Sequence, residues 1–151
     1  KAVDIKTAPF PGFPTDLQAP FMALMTIAKG RSKITETIFE NRMTHVNFLN
    51  QMGASITVDN NTANITGVKK LKGMNLFGSD LRSSAALIIA ALTSQNTNYV
   101  YGLEHLDRGY ESFEYKLKNL GVKVKREYVM ESYDGIRDLS EGKSSRNLNV
   151  A

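Results

Sequence analysis

Residues 80–92, DLRSSAALIIAAL, and residues 16–28, DLQAPFMALMTIA, share one design: an Asp-Leu start, then a helix that is apolar on nearly every side. In the later copy the run Ala85 to Leu92 holds no polar residue, and in the earlier one Phe21, Met22, Leu24, Met25 and Ile27 surround the helix axis. Such a helix is enclosed on most sides rather than laid on a sheet with one face in water.

The surroundings of these helices recur as well. Asp16-Leu17, Arg42 and Met52-Gly53 return as Asp80-Leu81, Arg108 and Leu120-Gly121 at a nearly constant spacing, the mark of a duplicated supersecondary unit. Leading strands are expected at Ala2 to Ile5 and at Met74 to Phe77. Ser32 to Ile38 and Asn98 to Leu103 follow the apolar helices. Each copy then has a one-sided helix, with Met43, Val46, Leu49 and Met52 on one stripe and Tyr110, Phe113, Leu117 and Leu120 on the other. Gly53 and Gly121 stand where a left-handed residue ends a helix. Ile56 and Val58, a turn at Asn60-Asn61, then Ala63 and Ile65 read as a hairpin. Val122, Val124 and a weaker strand near Tyr128 to Met130 are its second version.

The repeated unit is therefore βαβαββ, over about 1–67 and 73–130, in an α/β (α+β type) fold. Residues 131–151 are rich in Ser, Gly, Lys, Arg and Asn without a period, and are expected to be disordered or loosely attached. The chain opens at Lys1 with a strand already under way and reads as a piece of a longer protein. A lobe short of units leaves apolar surface on one flank of its helices.

With 151 residues and 42% hydrophobic content, the chain supports one domain with a real core. The absence of cysteine excludes disulfides, thiolate metal sites and a cysteine nucleophile within it. No apolar run approaches the roughly 20 residues a membrane span needs. The net charge of +4 and pI near 9.3 are mild, and suit an anionic small molecule at least as well as nucleic acid. The aromatics lack the spacing of a base-stacking platform, and neither GxGxxG nor a P-loop is present. His45 and His105 have no metal-ligand partner at useful spacing and read as surface or helix-face histidines.

Among the charged residues, Asp16 stands out. In TAPFPGFPTDLQ (residues 7–18), Pro11 and Pro14 fix φ on either side of Gly12, giving a rigid approach that presents Asp16 at a first helical turn. The residues leave two readings open: an N-cap, or a carboxylate held at the mouth of a site. Arg42, Arg82 and Arg108 all fall near expected helix N-termini, with Glu40 and Asp80 alongside. Guanidinium forks and helix N-termini together suit phosphate and carboxylate groups.

TAPFPGFPTD, ITETIFENRMTH, DLRSSAALIIAAL and HLDRGYESFEYKLKNLG together closely resemble the C-terminal part of the enolpyruvyl transferase family, in its UDP-N-acetylglucosamine-using branch. The resemblance runs from about Lys1 to Arg126, with four motifs in the right order. The shikimate-phosphate branch is not expected to carry PGFPTD or DRGYE. The resemblance implies an inside-out α/β barrel fold, two lobes of three βαβαββ units each with helices inside and sheets outside. It also implies transfer of the enolpyruvyl group of phosphoenolpyruvate to the sugar 3-hydroxyl with release of phosphate, the first committed step of peptidoglycan synthesis. It implies no cofactor and no metal, and a cytoplasmic setting.

By motif, Asp16 is implied to bind the sugar hydroxyl and act as its general base. Ile38 is implied to contact the UDP-sugar through its backbone, and Phe39 to pack beside it. Arg108 is implied to contact phosphoenolpyruvate, while Arg42, Arg82, Glu40 and Asp80 are implied to line the closed cleft. The catalytic thiol of the family belongs to the N-terminal lobe, which is missing from this chain. A non-catalytic anion-binding module of the same fold, a related enolpyruvyl transferase and a basic nucleic-acid-binding domain are the other readings.

Overall fold

The computed structural model describes residues 1–129 and 145–150. Two four-stranded sheets with the same internal order form the outer layers. The first contains β1 (Ile5–Lys6), β2 (Arg31–Thr35), β3 (Ser55–Asp59) and β4 (Thr62–Thr66), arranged β1-β2-β4-β3. The second contains β5 (Asn75–Phe77), β6 (Asn98–Tyr101), β7 (Val124–Val129) and β8 (Ser145–Val150), arranged β5-β6-β8-β7. In each sheet the first pair is parallel and the other two are antiparallel. The two sheets repeat one another strand for strand.

The parallel pairs require crossovers, and these are the apolar helices α1 (Gln18–Met25) and α3 (Leu81–Leu92). They pack against each other between the sheets. Met22, Ala23, Leu87 and Ile88 are fully enclosed there. Facing them, Ile34, Ile56, Ala63 and Ile65 alternate inward along the first sheet, while Lys33, Thr57 and Asn64 point outward. The one-sided helices are short: α2 (Val46–Gln51) in the first unit, and α4 (Leu103–Asp107) followed by α5 (Phe113–Asn119) in the second. Gly53 (φ +93°) and Gly121 (φ +84°) end α2 and α5 in the left-handed region as expected.

Four expectations need correction. The leading strands are shorter than read, because Ala2 to Asp4 and Met74 lie outside the ladders. Leu120 is 80% exposed and does not join the buried stripe of α5. The strand pair expected within 122–130 is instead one strand, β7, whose partner is β8. Residues 131–144 and 151 of the expected loose tail lie outside the described residues, but 145–150 run between β6 and β7 as an inner strand of the sheet. The cause is a short alternation: Leu148 and Val150 are buried to 1% and 2% exposure with Asn149 between them. Two apolar residues in a polar stretch are enough to fix a strand whose neighbours already offer open ladders.

Candidate active site

Asp16 lies within one 3-10 turn, Thr15–Leu17, that leads into α1, and no side-chain cap closes the start of either. Its Oδ1 instead accepts from Arg82 Nε at 2.6 Å and from Arg42 Nη1 at 3.4 Å. The capping role belongs to Asp80, whose Oδ1 accepts from the backbone N–H groups of Arg82 at 2.9 Å and Ser83 at 3.0 Å. Asp80 therefore fixes the first turn of α3 from which Arg82 reaches across to the other unit. The turn before it is tight: Gly78 donates to the Tyr101 carbonyl at 3.0 Å, and a Cβ at Gly78 would collide with Ser84.

The approach to Asp16 is pinned at several points. Gly12 N–H donates to the Pro9 carbonyl at 2.8 Å and Ala8 N–H to the Phe13 carbonyl at 3.0 Å, while Phe13 meets Phe21 edge-on at 5.3 Å. The anchor beneath is Glu36, a buried carboxylate that the sequence reading passed over. Its Oε1 accepts from Thr7 Oγ1 (2.9 Å), Ile38 N–H (2.8 Å) and Phe39 N–H (3.2 Å), and its Oε2 accepts from Thr15 Oγ1 (2.8 Å). Burial pushes the Glu36 carboxyl up, but the bonds from Ile38 N–H, Thr15, Thr7 and Phe39 N–H together hold it below the usual value. Thr15 Oγ1 also accepts from Arg42 Nη1 at 2.8 Å. One connected chain of polar contacts thus runs Glu36–Thr15–Arg42–Asp16–Arg82.

Asn41 takes a left-handed backbone (φ 54°), after which the guanidinium of Arg42 sits 4.0 Å above the ring of Phe39. Asp16 remains 65% exposed at its side chain, open to a ligand. The Arg82 hydrogen bond foremost, with Arg42 adding to it, holds its carboxyl below the usual range and keeps it ionised. The arrangement is a charged carboxylate flanked by two cations at an open edge: a proton acceptor beside anion-binding forks.

Of the expected site residues, Asp16, Arg42 and Arg82 come together. Ile38 and Phe39 lie next to them, both exposed, with the Ile38 N–H already taken by Glu36. Glu40 is exposed along a groove shared with Phe39 and Arg42. Arg108 differs from expectation. It is the exposed C-cap of α4, not the opening of a helix, and among the described residues no hydrogen bond or ion pair ties it to the Asp16 cluster. Its neighbour Asp107 is held by both Nη atoms of Arg126, at 2.9 and 2.8 Å.

His45 also departs from the surface reading. It is 2% exposed, and burial pushes its imidazole down to about 4 against an opposing pull from Asp80, so it is neutral near pH 7. A signal for Glu36 was available, since Ser32, Ile34 and Glu36 alternate inward along β2 and its extension.

A family model described as EPSP synthase (3-phosphoshikimate 1-carboxyvinyltransferase) matches residues 1–117. A UDP-N-acetylglucosamine 1-carboxyvinyltransferase of Prochlorococcus marinus subsp. pastoris is 70% identical over 148 residues, covering 98% of this chain and 32% of that protein. Another from the same species is 71% identical over 150 residues, covering 99% and 33%. The enolpyruvyl transferase NikO from Streptomyces tendae superposes with a TM-score of 0.70 at 30% identity, over 80% of this chain and 28% of NikO. An EPSP synthase from Acinetobacter baumannii gives 0.59 at 20% identity over 89% and 28%, a likeness of fold. The chain spans about a third of the length of the curated relatives it matches.

Proposed function

Since the chain belongs to the EPSP synthase family, we propose that in the full-length protein its Asp16 cluster serves enolpyruvyl transfer from phosphoenolpyruvate to the 3-hydroxyl of UDP-N-acetylglucosamine. The acceptor follows the printed names of relatives about 70% identical to this chain. The carrying observation is the ionised, open Asp16 carboxylate clasped by arginines from two units.

An alcohol is a weak nucleophile, so its attack calls for a carboxylate that takes the hydroxyl proton as oxygen bonds to C2 of phosphoenolpyruvate. An acid outside this chain protonates C3 as the C2=C3 bond opens; loss of phosphate from C2 and of a proton from C3 then restores the double bond. Held by two cations, Asp16 is a weak base. An anionic substrate that draws Arg42 and Arg82 toward itself removes those partners and raises the basicity of Asp16 at the moment it is needed. Arg108 is assigned to phosphoenolpyruvate, which it meets when the missing lobe closes over the cleft. Ile38 and Phe39 border the sugar, and Glu40 and Asp80 complete the charged lining. No helix of the described residues is long and apolar enough to cross a membrane. The role implied is cytoplasmic, at the first committed step of peptidoglycan synthesis.

The test is phosphate release by the full-length protein with both substrates. Asp16→Ala should lower kcat by about 10²–10⁴-fold with little change in melting temperature, because Asp16 caps no helix. A lowered melting temperature with normal kcat would make Asp16 structural, and substrate binding without turnover in the unmodified protein would favour an anion-binding module. Arg108→Ala should weaken phosphoenolpyruvate by about 10- to 150-fold, the range of a charge-assisted bond, while sparing UDP-N-acetylglucosamine. Equal losses for both substrates would indicate a folding defect.

A further inference from the structure

A second ionic cluster lies apart from Asp16. β7 is an edge strand of its sheet, and along it Val124 is buried, Lys125 exposed and Arg126 half-buried, so Arg126 keeps to the inward alternation. Its Nη1 donates to Asp107 Oδ2 at 2.9 Å, and its Nη2 donates to Asp107 Oδ1 at 2.8 Å and to Glu114 Oε2 at 3.0 Å. The side chains of Arg126, Asp107 and Glu114 are 13%, 25% and 23% exposed. One guanidinium thus grips one carboxylate with both arms and reaches a second. Such a two-armed pair fixes geometry as well as adding energy, and partial withdrawal from water shields it from salt. An inward charge on an edge strand also discourages pairing with another chain, but that calls only for a charge, not for bonds to two helices.

The two carboxylates stand on either side of one short turn. Asp107 is the last residue of α4, and Glu114 lies in the first turn of α5. Between α4 and α5 run Arg108, Gly109, Tyr110, Glu111 and Ser112, so Arg126 ties the entry and the exit of this turn to one strand position. Ser112 has a left-handed backbone (φ 48°), which a residue other than glycine keeps only where its surroundings hold it. Gly109 is a further pin. Its N–H donates to the Leu106 carbonyl at 3.1 Å, and a Cβ there would lie 2.7 Å from Leu81 Cδ2. Leu81 opens α3 directly before Arg82, so the turn is registered against the helix start that carries Arg82. Arg108 itself is exposed, and among the described residues it makes no ion pair or side-chain hydrogen bond. Where its guanidinium can reach is therefore set by where the turn places its backbone.

We propose that Arg126 is a positioning residue for phosphoenolpyruvate: its guanidinium clamps both ends of the turn that carries Arg108 and so sets where that exposed fork meets the anion. Arg126 touches no reacting atom. It acts through Asp107 and Glu114 on the backbone of Arg108.

Two measurements on the full-length protein test this. The first is amide hydrogen exchange. Arg126→Met, which keeps an apolar stem and removes the fork, should quicken exchange across residues 108–113 about tenfold, the effect of one charge-assisted bond. Exchange in α1 and α3 should stay as it is. An unchanged turn, or quickening spread evenly over the protein, overturns the clamp whatever the enzyme does. The second is kinetic, and it alone rests on the enolpyruvyl-transfer reading. Arg126→Met should raise the KM for phosphoenolpyruvate about tenfold. The kcat and the KM for UDP-N-acetylglucosamine should not change, the mark of a lost binding contact. Arg126→Lys, which keeps the charge and loses only the planar fork, should show the same pattern at about threefold. In an Arg108→Ala background, Arg126→Met should add no further loss, because both act through one contact. An unchanged phosphoenolpyruvate KM in either variant, equal loss for both substrates, or full additivity with Arg108→Ala would each overturn the positioning role. Absence of transfer in the unmodified protein would strike the functional reading and leave the clamp to the exchange result.

Discussion

At the scale of single residues, Glu36 contributes more to the site than its place in the sequence suggests. It touches no expected substrate group, yet four bonds to it fix Thr7, Thr15 and the backbone at Ile38 and Phe39. Its carboxyl is held below its ordinary value of 4.5, so the folded form favours the ionised state. The stabilisation is complete above pH 4.5 and is lost as pH falls through the lower, folded value. The unfolding midpoint of the full-length protein should therefore drop on acidification below pH 4.5. Glu36→Gln should cost about 2 kcal/mol at neutral pH and flatten that acid limb. An acid limb unchanged in the variant would assign it to other carboxylates. Asp16 stands out in the sequence because two prolines stiffen the approach to it and its charge sits at a turn. Glu36 was not singled out, because a lone glutamate between threonines looks like surface until the inward alternation of β2 is followed past its end.

At the scale of elements, the two copies of Asp-Leu have diverged in use. Asp80 caps α3, whereas Asp16 sits in a 3-10 turn and faces an arginine of the other copy. Asp80→Ala should cost about 1 kcal/mol through the lost cap. It should also loosen Arg82, weakening anion binding more than an exposed charge change does. Asp80→Asn, which can still cap, should restore most of the stability. A variant with unchanged melting temperature would remove Asp80 from the capping role. The repeat, the enclosed helices and the hairpin at Asn60-Asn61 could all be read from periodicity, because burial on all sides and alternation leave clear patterns. β8 could not, since its partner strand precedes it by residues 130–144 and only Leu148 and Val150 mark its inner face. The short helix α4, which places Arg108 at a helix C-terminus, has only five residues and too little apolar periodicity to be read before the stripe of Tyr110, Phe113 and Leu117.

At the scale of the whole molecule, the site is shared rather than owned. The carboxylate comes from the first unit, Arg82 from the second, and the relatives carry roughly twice as much chain again beyond the part matched here. On the proposed function, the 151-residue chain alone should release no phosphate from phosphoenolpyruvate, because the sequence that would close over the cleft and exclude water lies outside it. Turnover by this chain at a rate like that of an intact enzyme would refute the dependence on a second lobe. The bond between Asp16 and Arg82 spans 66 residues of sequence, and that separation orders events in time. Helices and hairpins close through near neighbours, while a contact of this span waits for whole units to dock. A refolding chain is therefore expected to recover its circular dichroism before its affinity for ligand. The lag between those two signals is a direct clock for the joining of the two halves.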